Sequence, residues 1–458
     1  MDATSLEDLI DDRIAEGRFS VHRDVFRDPE IFELEMKHIF EGTWVFLGLD
    51  SQAPAPHDFF TTTIGRQPVV VSRDRKGALH CFANSCRHRG SIVCHTQRGN
   101  TKFHTCPYHG WVYDSAGRLL DIKDGKHACY PDGFLAQDHN LVAIPRFESY
   151  RGFLFGSLNA DVAPLEAHLG DARTGLDLVV DQSPDGVELL RGTHTYTFNA
   201  NWKLQIENCV DAYHLTSTHP SYIEIVKRRK AGQSQNRMDS VDFDMYKNEQ
   251  AVRGSFCFDN GYNILWGANP AYRARPLFQS LDELRGRVGD VRARWMLYMR
   301  NLTLFPNAQF AENASLQLRV LRPVAVDKTE MTTWCVAPRG ESAAARTLRI
   351  RQYEDFFNAS GLATPDDSVS FEDCQAGYQS RLIDWQQGYM RGLGLLVQGG
   401  NEHSEELGVA PRTSVCGPFD VQDETIFHSL YREWLRLLKR GLATAPKTAP
   451  SIPIEAVS

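Results

Sequence analysis

Cys86-Arg-His88 and Cys106-Pro-Tyr-His109 are the residues of this chain best suited to carry chemistry. Each pair sets a soft thiolate one short step from an imidazole. Four donors of this kind suit tetrahedral Zn²⁺ or an iron–sulfur cluster, and a [2Fe–2S] centre with two cysteines on one iron and two histidines on the other uses this set. Zinc would staple a binding module; a cluster would carry electrons. The local residues favour the cluster. Pro107 and Gly110 bracket the second pair and Gly90 follows the first, which lets backbone amides approach bridging sulfides. Each pair follows an apolar or β-branched run, as matched loop tips would. A ββα zinc finger would instead put two histidines on one helix, and no such helix is readable here. His80, His95 and His104 fall outside the spacing and read as surface or core residues. Of the ten cysteines, only Cys86 and Cys106 have ligand-like neighbours; Cys94 and the others read as small buried hydrophobes.

A second dense stretch runs from Glu207 to Pro220, Glu-Asn-Cys-Val-Asp-Ala-Tyr-His-Leu-Thr-Ser-Thr-His-Pro. His214 and His219 are five apart, about 140° beyond a full helical turn, so one ideal helix would not aim both at one ion. Pro220 reads as the end of that helix, where a loosened last turn can bring them together. Two histidines and one carboxylate on one side of Fe(II) leave adjacent positions open, the geometry a non-haem oxygenase needs. A carboxylate must come from downstream, where Thr364-Pro-Asp-Asp-Ser-Val-Ser-Phe-Glu-Asp offers Asp366, Asp367, Glu372 and Asp373. The same residues also read as an ordinary helix start, with Thr364 as N-cap and Pro365 in the first turn.

These motifs sit in a chain of 458 residues, long enough for two or three domains. A net charge of −8 with the two signs interspersed argues against nucleic-acid or anionic-membrane partners. The acidic N-terminus shows no signal peptide and no run reaches membrane-span length, so the expected location is cytoplasmic. Residues 1–42 read as a helical segment, with Phe32, Met36 and Phe40 at fourfold spacing. Residues 43–155 are short alternating or β-branched runs broken by turns, an all-β unit holding both Cys-His pairs. From 156 to 442 the texture is mixed: strands before Trp202, a helix from Trp202 to about His219, a long hairpin over 314–338, a helix over 343–358, and an amphipathic helix over 424–441. The tail 443–458 reads as loose. No dinucleotide fingerprint, Walker loop, Gly-x-Ser-x-Gly elbow or ferredoxin cysteine run is present, so electrons are expected from another protein.

With the surround Cys-Pro-Tyr-His-Gly-Trp, the first constellation resembles the Rieske domain of aromatic-ring-hydroxylating dioxygenases. Asn-Cys-Val-Asp-Ala-Tyr-His resembles the iron-site helix of the same family. Ile39-Phe-Glu-Gly-Thr-Trp, Ile64-Gly-Arg-Gln-Pro-Val and Arg349-Ile-Arg-Gln-Tyr-Glu-Asp-Phe-Phe-Asn-Ala-Ser-Gly look most like large (alpha) subunits of the benzoate, toluate, halobenzoate and anthranilate group. The resemblance implies an α+β fold, with a small all-β Rieske domain inserted before a larger helix-grip catalytic domain built on an antiparallel sheet. It also implies a Rieske [2Fe–2S] cluster on Cys86, His88, Cys106 and His109, and mononuclear Fe(II) on His214, His219 and Asp367, with Asp366 the competing carboxylate. Asn208 would lie beside the iron. Asp211 would reach toward a Rieske histidine of a neighbouring subunit, with Tyr213 in support. The implied reaction is O₂-dependent cis-dihydroxylation of a small aromatic substrate, with an NAD(P)H-dependent reductase (possibly with a ferredoxin) and a small beta subunit in an α3β3 assembly. An aromatic acid needs a positive partner, for which Arg319 and Arg322 on the predicted hairpin are candidates. Around the iron the chain has Cys209-Val-Asp-Ala where the group usually has Gly-Ala-Asp-Gly, and Pro220 where an aromatic is common. Two readings stand beside this one: a Rieske monooxygenase or demethylase acting on another small substrate, and a zinc-stapled binding protein.

Overall fold

The computed structural model describes residues 3–231, 251–268 and 270–444. Between residues 45 and 157 the β-branched runs form three small antiparallel sheets. Leu79–Ala83, Gln67–Arg73, Asp58–Ile64 and Arg98–Asn100 make the largest; Phe103–Thr105, Val112–Asp114 and Leu119–Asp121 make the second. In the third, Phe153–Ser157 pairs with both Arg146–Tyr150 and Val45–Leu49, closing the unit onto its own start.

The rest of the chain is organised by a ten-stranded sheet in which every neighbouring pair is antiparallel. Its centre is the hairpin Leu316–Ala325 and Lys328–Pro338, turning at Val326-Asp327 as the alternation predicts. Because successive side chains point to opposite faces, this sheet has two different surfaces. Phe310 and Leu318 pack into the core beneath the small β unit, where Phe46 and Phe153 meet Phe310. Gln309, Ala311, Gln317 and Arg319 lie on the other surface. There the helix α1 (Trp202–Cys209) crosses the sheet, followed by α2 (Leu215–Thr218), α3 (Pro220–Ala231) and, from far downstream, α4 (Thr364–Gly377). The C-terminal helix α5 (Phe427–Thr444) buries Phe427, Leu430, Trp434 and Leu438, the stripe its periodicity predicts. No helix among the described residues is long and apolar enough to cross a membrane.

Three local expectations are corrected. The first 22 residues are not continuous helix: after Ala3–Glu7, the strands Ile10–Arg13 and Arg18–His22 pair as a hairpin, and the second also pairs with Trp385–Gln386. Gly17, at φ 73°, makes the turn that a helix could not. The fourfold spacing of Phe32, Met36 and Phe40 does mark helix, and its last turn widens to a π-turn closed by Glu41 N–H to the Met36 carbonyl. The expected single helix from Trp202 to His219 is two helices with a break, and Pro220 opens the next helix instead of closing one. Ala363, not Thr364, sits at the N-cap of α4, with no side-chain cap bond; Thr364 and Pro365 are already helical. The stretch expected to be loose lies, beyond Thr444, outside the described residues.

One buried carboxylate ties the N-terminal segment to the start of α1. Glu35 is fully buried and accepts from Lys203 Nζ at 2.5 Å, Trp202 Nε1 at 2.8 Å and Trp434 Nε1 at 2.7 Å. Three strong donors offset the desolvation of this charge, whereas removing it strands the buried Lys203 ammonium. Glu35→Ala is expected to cost about 3–5 kcal/mol in chemical denaturation. The double variant Glu35→Met, Lys203→Met should recover more than half of that loss, and a single-variant loss under about 1 kcal/mol would contradict this role.

Candidate metal centres

The first constellation forms on two loops with the same backbone design. In each, a cysteine N–H donates to the carbonyl five residues on (Cys86 to Ser91, Cys106 to Trp111, both 2.8 Å), and the glycine four residues on donates back to the cysteine carbonyl. Those glycines, Gly90 and Gly110, have φ of 75° and 72°, a conformation that L side chains rarely adopt. The loops thus fold as paired tips, one after Leu79–Ala83 and one within the hairpin Phe103–Thr105/Val112–Asp114. They present their donors in two layers. Cys86 and Cys106 are buried, 3% and 2% exposed, whereas His88 is exposed and His109 half-buried at the rim. The two imidazole rings meet edge to face with centroids 4.4 Å apart, and His88 stacks on Trp111.

Burial pushes the Cys86 thiol up, opposed by the Tyr113 hydroxyl 3.3 Å from its sulfur, so a thiolate there needs a positive partner such as a metal. A buried sulfur layer beneath an outward imidazole layer fits a [2Fe–2S] centre with its histidine iron toward solvent. Trp111 closes the motif quoted from the sequence, whereas Tyr113 escaped that reading; its only signal was its place in the strand leaving the second loop. His80 pairs with Asp74. Cys94 has a partner after all, the buried His104 at 3.1 Å, which burial holds below the usual histidine range. His95 lies outside the site.

The second constellation depends on two breaks in one helical path. Asn201 caps α1 by accepting from Lys203 N–H. At the far end, sheet side chains satisfy the helix carbonyls: Gln309 donates to Ile206 O at 3.0 Å and Asn301 to Cys209 O at 2.5 Å. Val210 leaves the helical conformation, and Asp211 Oδ1 then accepts the Tyr213 N–H at 2.6 Å, forming the turn from which α2 restarts. His219 breaks the path again at φ −110°, ψ 41° before Pro220 opens α3. The two breaks turn both imidazoles toward Asp367, in the first turn of α4.

Among the described residues, His214, His219 and Asp367 are the one set of three such groups whose ligand atoms all lie within 4.8 Å of one another. His219 Nε2 and His214 Nε2 are 3.2 Å and 3.5 Å from Asp367 Oδ1. The ring nitrogen each histidine turns away is also held by a carboxylate. His214 Nδ1 lies 3.1 Å from Asp211, and His219 Nδ1 lies 3.2 Å from Asp366. Carboxylates behind the histidines fix ring orientation and raise ligand basicity. Asp366, the competing ligand candidate, therefore sits behind His219 and outside the convergent set. Asn208 Nδ2 donates to Asp367 at 3.1 Å and lies 3.3 Å from His214 Nε2, beside the centre as expected. The donors fit a facial iron site.

Electrostatics follow this arrangement. Burial disfavours a charged His214, but the Asp211 and Asp367 carboxylates outweigh it and raise its basicity. Burial likewise opposes ionisation of Asp367, and the two histidines with Arg319 hold it below the usual carboxylate range. Glu207 accepts hydrogen bonds from the Tyr389 and Tyr431 hydroxyls, and burial still pushes its carboxyl up to about 7. A cavity of about 820 Å³, counting its open mouth, lies against His214, His219 and Asp367; its wall is largely apolar, with Leu265, Met299, Phe356 and Phe419. Arg319 lines it. Arg322 does not, being paired with Glu330 at 2.8 Å. Tyr213 is half-exposed and lies under the Arg391 guanidinium, 4.1 Å from ring centroid to Cζ.

Comparison with known proteins agrees with both centres. Residues 43–131 match the Rieske [2Fe-2S] domain, and residues 188–438 match the ring hydroxylating alpha subunit catalytic domain. The chain is 41% identical to the 2-halobenzoate 1,2-dioxygenase large subunit of Burkholderia cepacia, over 96% of this chain and 93% of that one. It is also 41% identical to the toluate 1,2-dioxygenase subunit alpha of Pseudomonas putida, over 94% and 93%. The crystal structure of naphthalene 1,2-dioxygenase from Rhodococcus sp. bound to indole superposes with a TM-score of 0.81 at 25% identity, covering 97% of this chain and 99% of that one. The chain belongs to the large (alpha) subunits of the ring-hydroxylating dioxygenases, oxidoreductases that join a Rieske [2Fe–2S] domain to a catalytic domain using mononuclear iron.

Proposed function

We propose that this chain is the terminal oxygenase subunit of a system that cis-dihydroxylates an aromatic carboxylate of the benzoate type. The observation that carries this reading is the convergence of His214, His219 and Asp367 on one wall of a mostly apolar cavity. Its largely apolar wall suits the face of an aromatic ring, as ligand pockets are lined mainly by apolar side chains with a few placed polar groups. The substrates named for the two curated relatives are halobenzoate and toluate, both ring carboxylates.

We assign the cluster to Cys86, His88, Cys106 and His109 and the mononuclear iron to His214, His219 and Asp367. When bound, the two centres supply electrons and O₂ activation, respectively. The chain's own residues do the rest. Asn208 steadies Asp367. Asp366 and Asp211 orient the two histidines. Asp211 also hydrogen-bonds a cluster histidine of a neighbouring copy, with Tyr213 at that contact, and so couples one copy's cluster to another copy's iron. The apolar wall excludes bulk water from the ring. Electrons come from a separate NAD(P)H-dependent reductase, directly or through a ferredoxin, and a small beta subunit completes an α3β3 assembly in the cytoplasm. The small β unit (43–155) thus acts as electron inlet and residues 156–442 as the oxygenase body, with the N-terminal segment 1–42 packed on that body.

Asp367→Ala should lower bound iron from about three atoms per chain to about two while the cluster's visible spectrum persists. Asp366→Asn should instead keep the third iron at saturation and weaken its affinity roughly 10–100-fold; the opposite pattern in metal analysis would move the ligand to Asp366. Asp211→Asn preserves the oxygen that accepts the Tyr213 N–H but removes the charge. It should retain both centres and lower turnover at least about tenfold, and unchanged turnover would refute the coupling role.

A further inference from the structure

The arginines around the cavity differ in their partners. Arg300 borders the cavity, but its guanidinium pairs with Glu312 across the strands, a carboxylate that Arg275 shares. Arg253 and Arg319 are on the cavity surface. Arg319 pairs across strands with Gln309, whose side chain reaches the α1 carbonyl of Ile206. Arg253 pairs with Gly267, four strands from Arg319, or roughly 19 Å of sheet before curl and side-chain reach are counted.

The two guanidinium groups differ in how they are engaged. Arg253 donates from Nη1 to the Phe419 carbonyl at 3.1 Å and lies 4.9 Å over the Phe419 ring. Arg319 is only 7% exposed. Its Nε–H goes to Gln317 Oε1 at 2.6 Å, and its Cζ sits 5.6 Å over the Phe357 ring. Among the described residues, Arg319 has no ion pair and its two terminal nitrogens make no hydrogen bond. The ring stacking and the Gln317 bond hold it in one orientation, leaving the terminal pair as a fork that matches a carboxylate. The fork borders the same cavity that His214, His219 and Asp367 line. A nearly buried cation without a counter-ion is costly, and an anionic ligand removes that cost.

We propose that Arg319 is the carboxylate anchor of the substrate pocket. This rests on the aromatic-carboxylate reading above. The transformation balances without losing the carboxylate. One ring double bond and O₂, with two electrons from the reductase and two protons, become two C–O bonds and a cis-diol as the O–O bond breaks.

The test is anaerobic calorimetric titration of the holoenzyme with benzoate and with benzamide, its neutral isostere. The wild-type chain should prefer benzoate roughly 10–100-fold. Arg319→Met should erase that preference while keeping benzamide affinity within about threefold, with cluster spectrum and iron content unchanged. Arg319→Lys, which keeps the charge and loses the fork, should retain part of the preference and serves if the Met variant does not fold. An undiminished preference in both variants, or its loss in Arg253→Met instead, overturns the anchor alone. A wild-type chain indifferent to the carboxylate overturns the substrate reading and the anchor with it.

Discussion

The catalytic half of this molecule depends on a helix that is not allowed to continue. Between Trp202 and Pro220 the backbone leaves the helical conformation at Val210 and again at His219. A continuous helix would send the two imidazoles in different directions; the interruptions bring both to Asp367. They are stabilised from two sides. Asn301 and Gln309, rising from the sheet, take up carbonyls that the end of α1 leaves open, and Asp211 closes the turn that follows. The ten-stranded sheet therefore does more than form a core: its polar side chains set where the helix stops. Glu35 anchors the other end of α1 through Lys203 and Trp202, so both ends of an eight-residue helix are held by side chains distant in sequence.

The two centres apply one rule in different materials. Around the cluster loops, glycines in the left-handed conformation and reciprocal backbone bonds shape paired tips, with sulfur inside and imidazole outside. Around the iron ligands, carboxylates do the shaping. Each histidine has Asp367 on one ring nitrogen and its own acid on the other, Asp211 for His214 and Asp366 for His219. The pairing makes Asp211 an orienting group that also borders the cavity. It also concentrates negative charge on the ligand side, against which the Arg319 guanidinium provides the opposing field at the cavity wall.

Much of this was legible in the residues because metal chemistry constrains type and spacing tightly. The Cys-x-His and Cys-x₂-His loops, the His214/His219 pair and the Asp-Asp step at α4 could be picked out from sequence, and hydrophobic alternation marked the long hairpin and α5. What escaped was set by partners remote in sequence. Nothing near Cys209 announces that Asn301, 92 positions away, will cap its helix. Pro220 was read as a stop because proline excludes the preceding residue from helix, but the same property suits it to the first position of α3. The N-terminal strands were missed since short alternation beside a helical stripe is weak evidence of pairing, and the Trp385–Gln386 partner lies far down the chain. Asp366 and Asp367 could not be separated by type, only by the direction each takes from a helical turn. Arg322 was an equal candidate to Arg319 until the hairpin register gave it Glu330.

The proposed function requires that electrons entering at the cluster are used at the His214–His219–Asp367 site to add both atoms of one O₂ to one ring. The most direct measurement is isotope incorporation. Purified oxygenase, reductase and NADH are supplied with benzoate under ¹⁸O₂, and the product is analysed by mass spectrometry. The expected product is a cis-diol carrying two ¹⁸O atoms with the carboxylate retained. A product with one ¹⁸O atom, such as a hydroxybenzoate, would contradict that assignment.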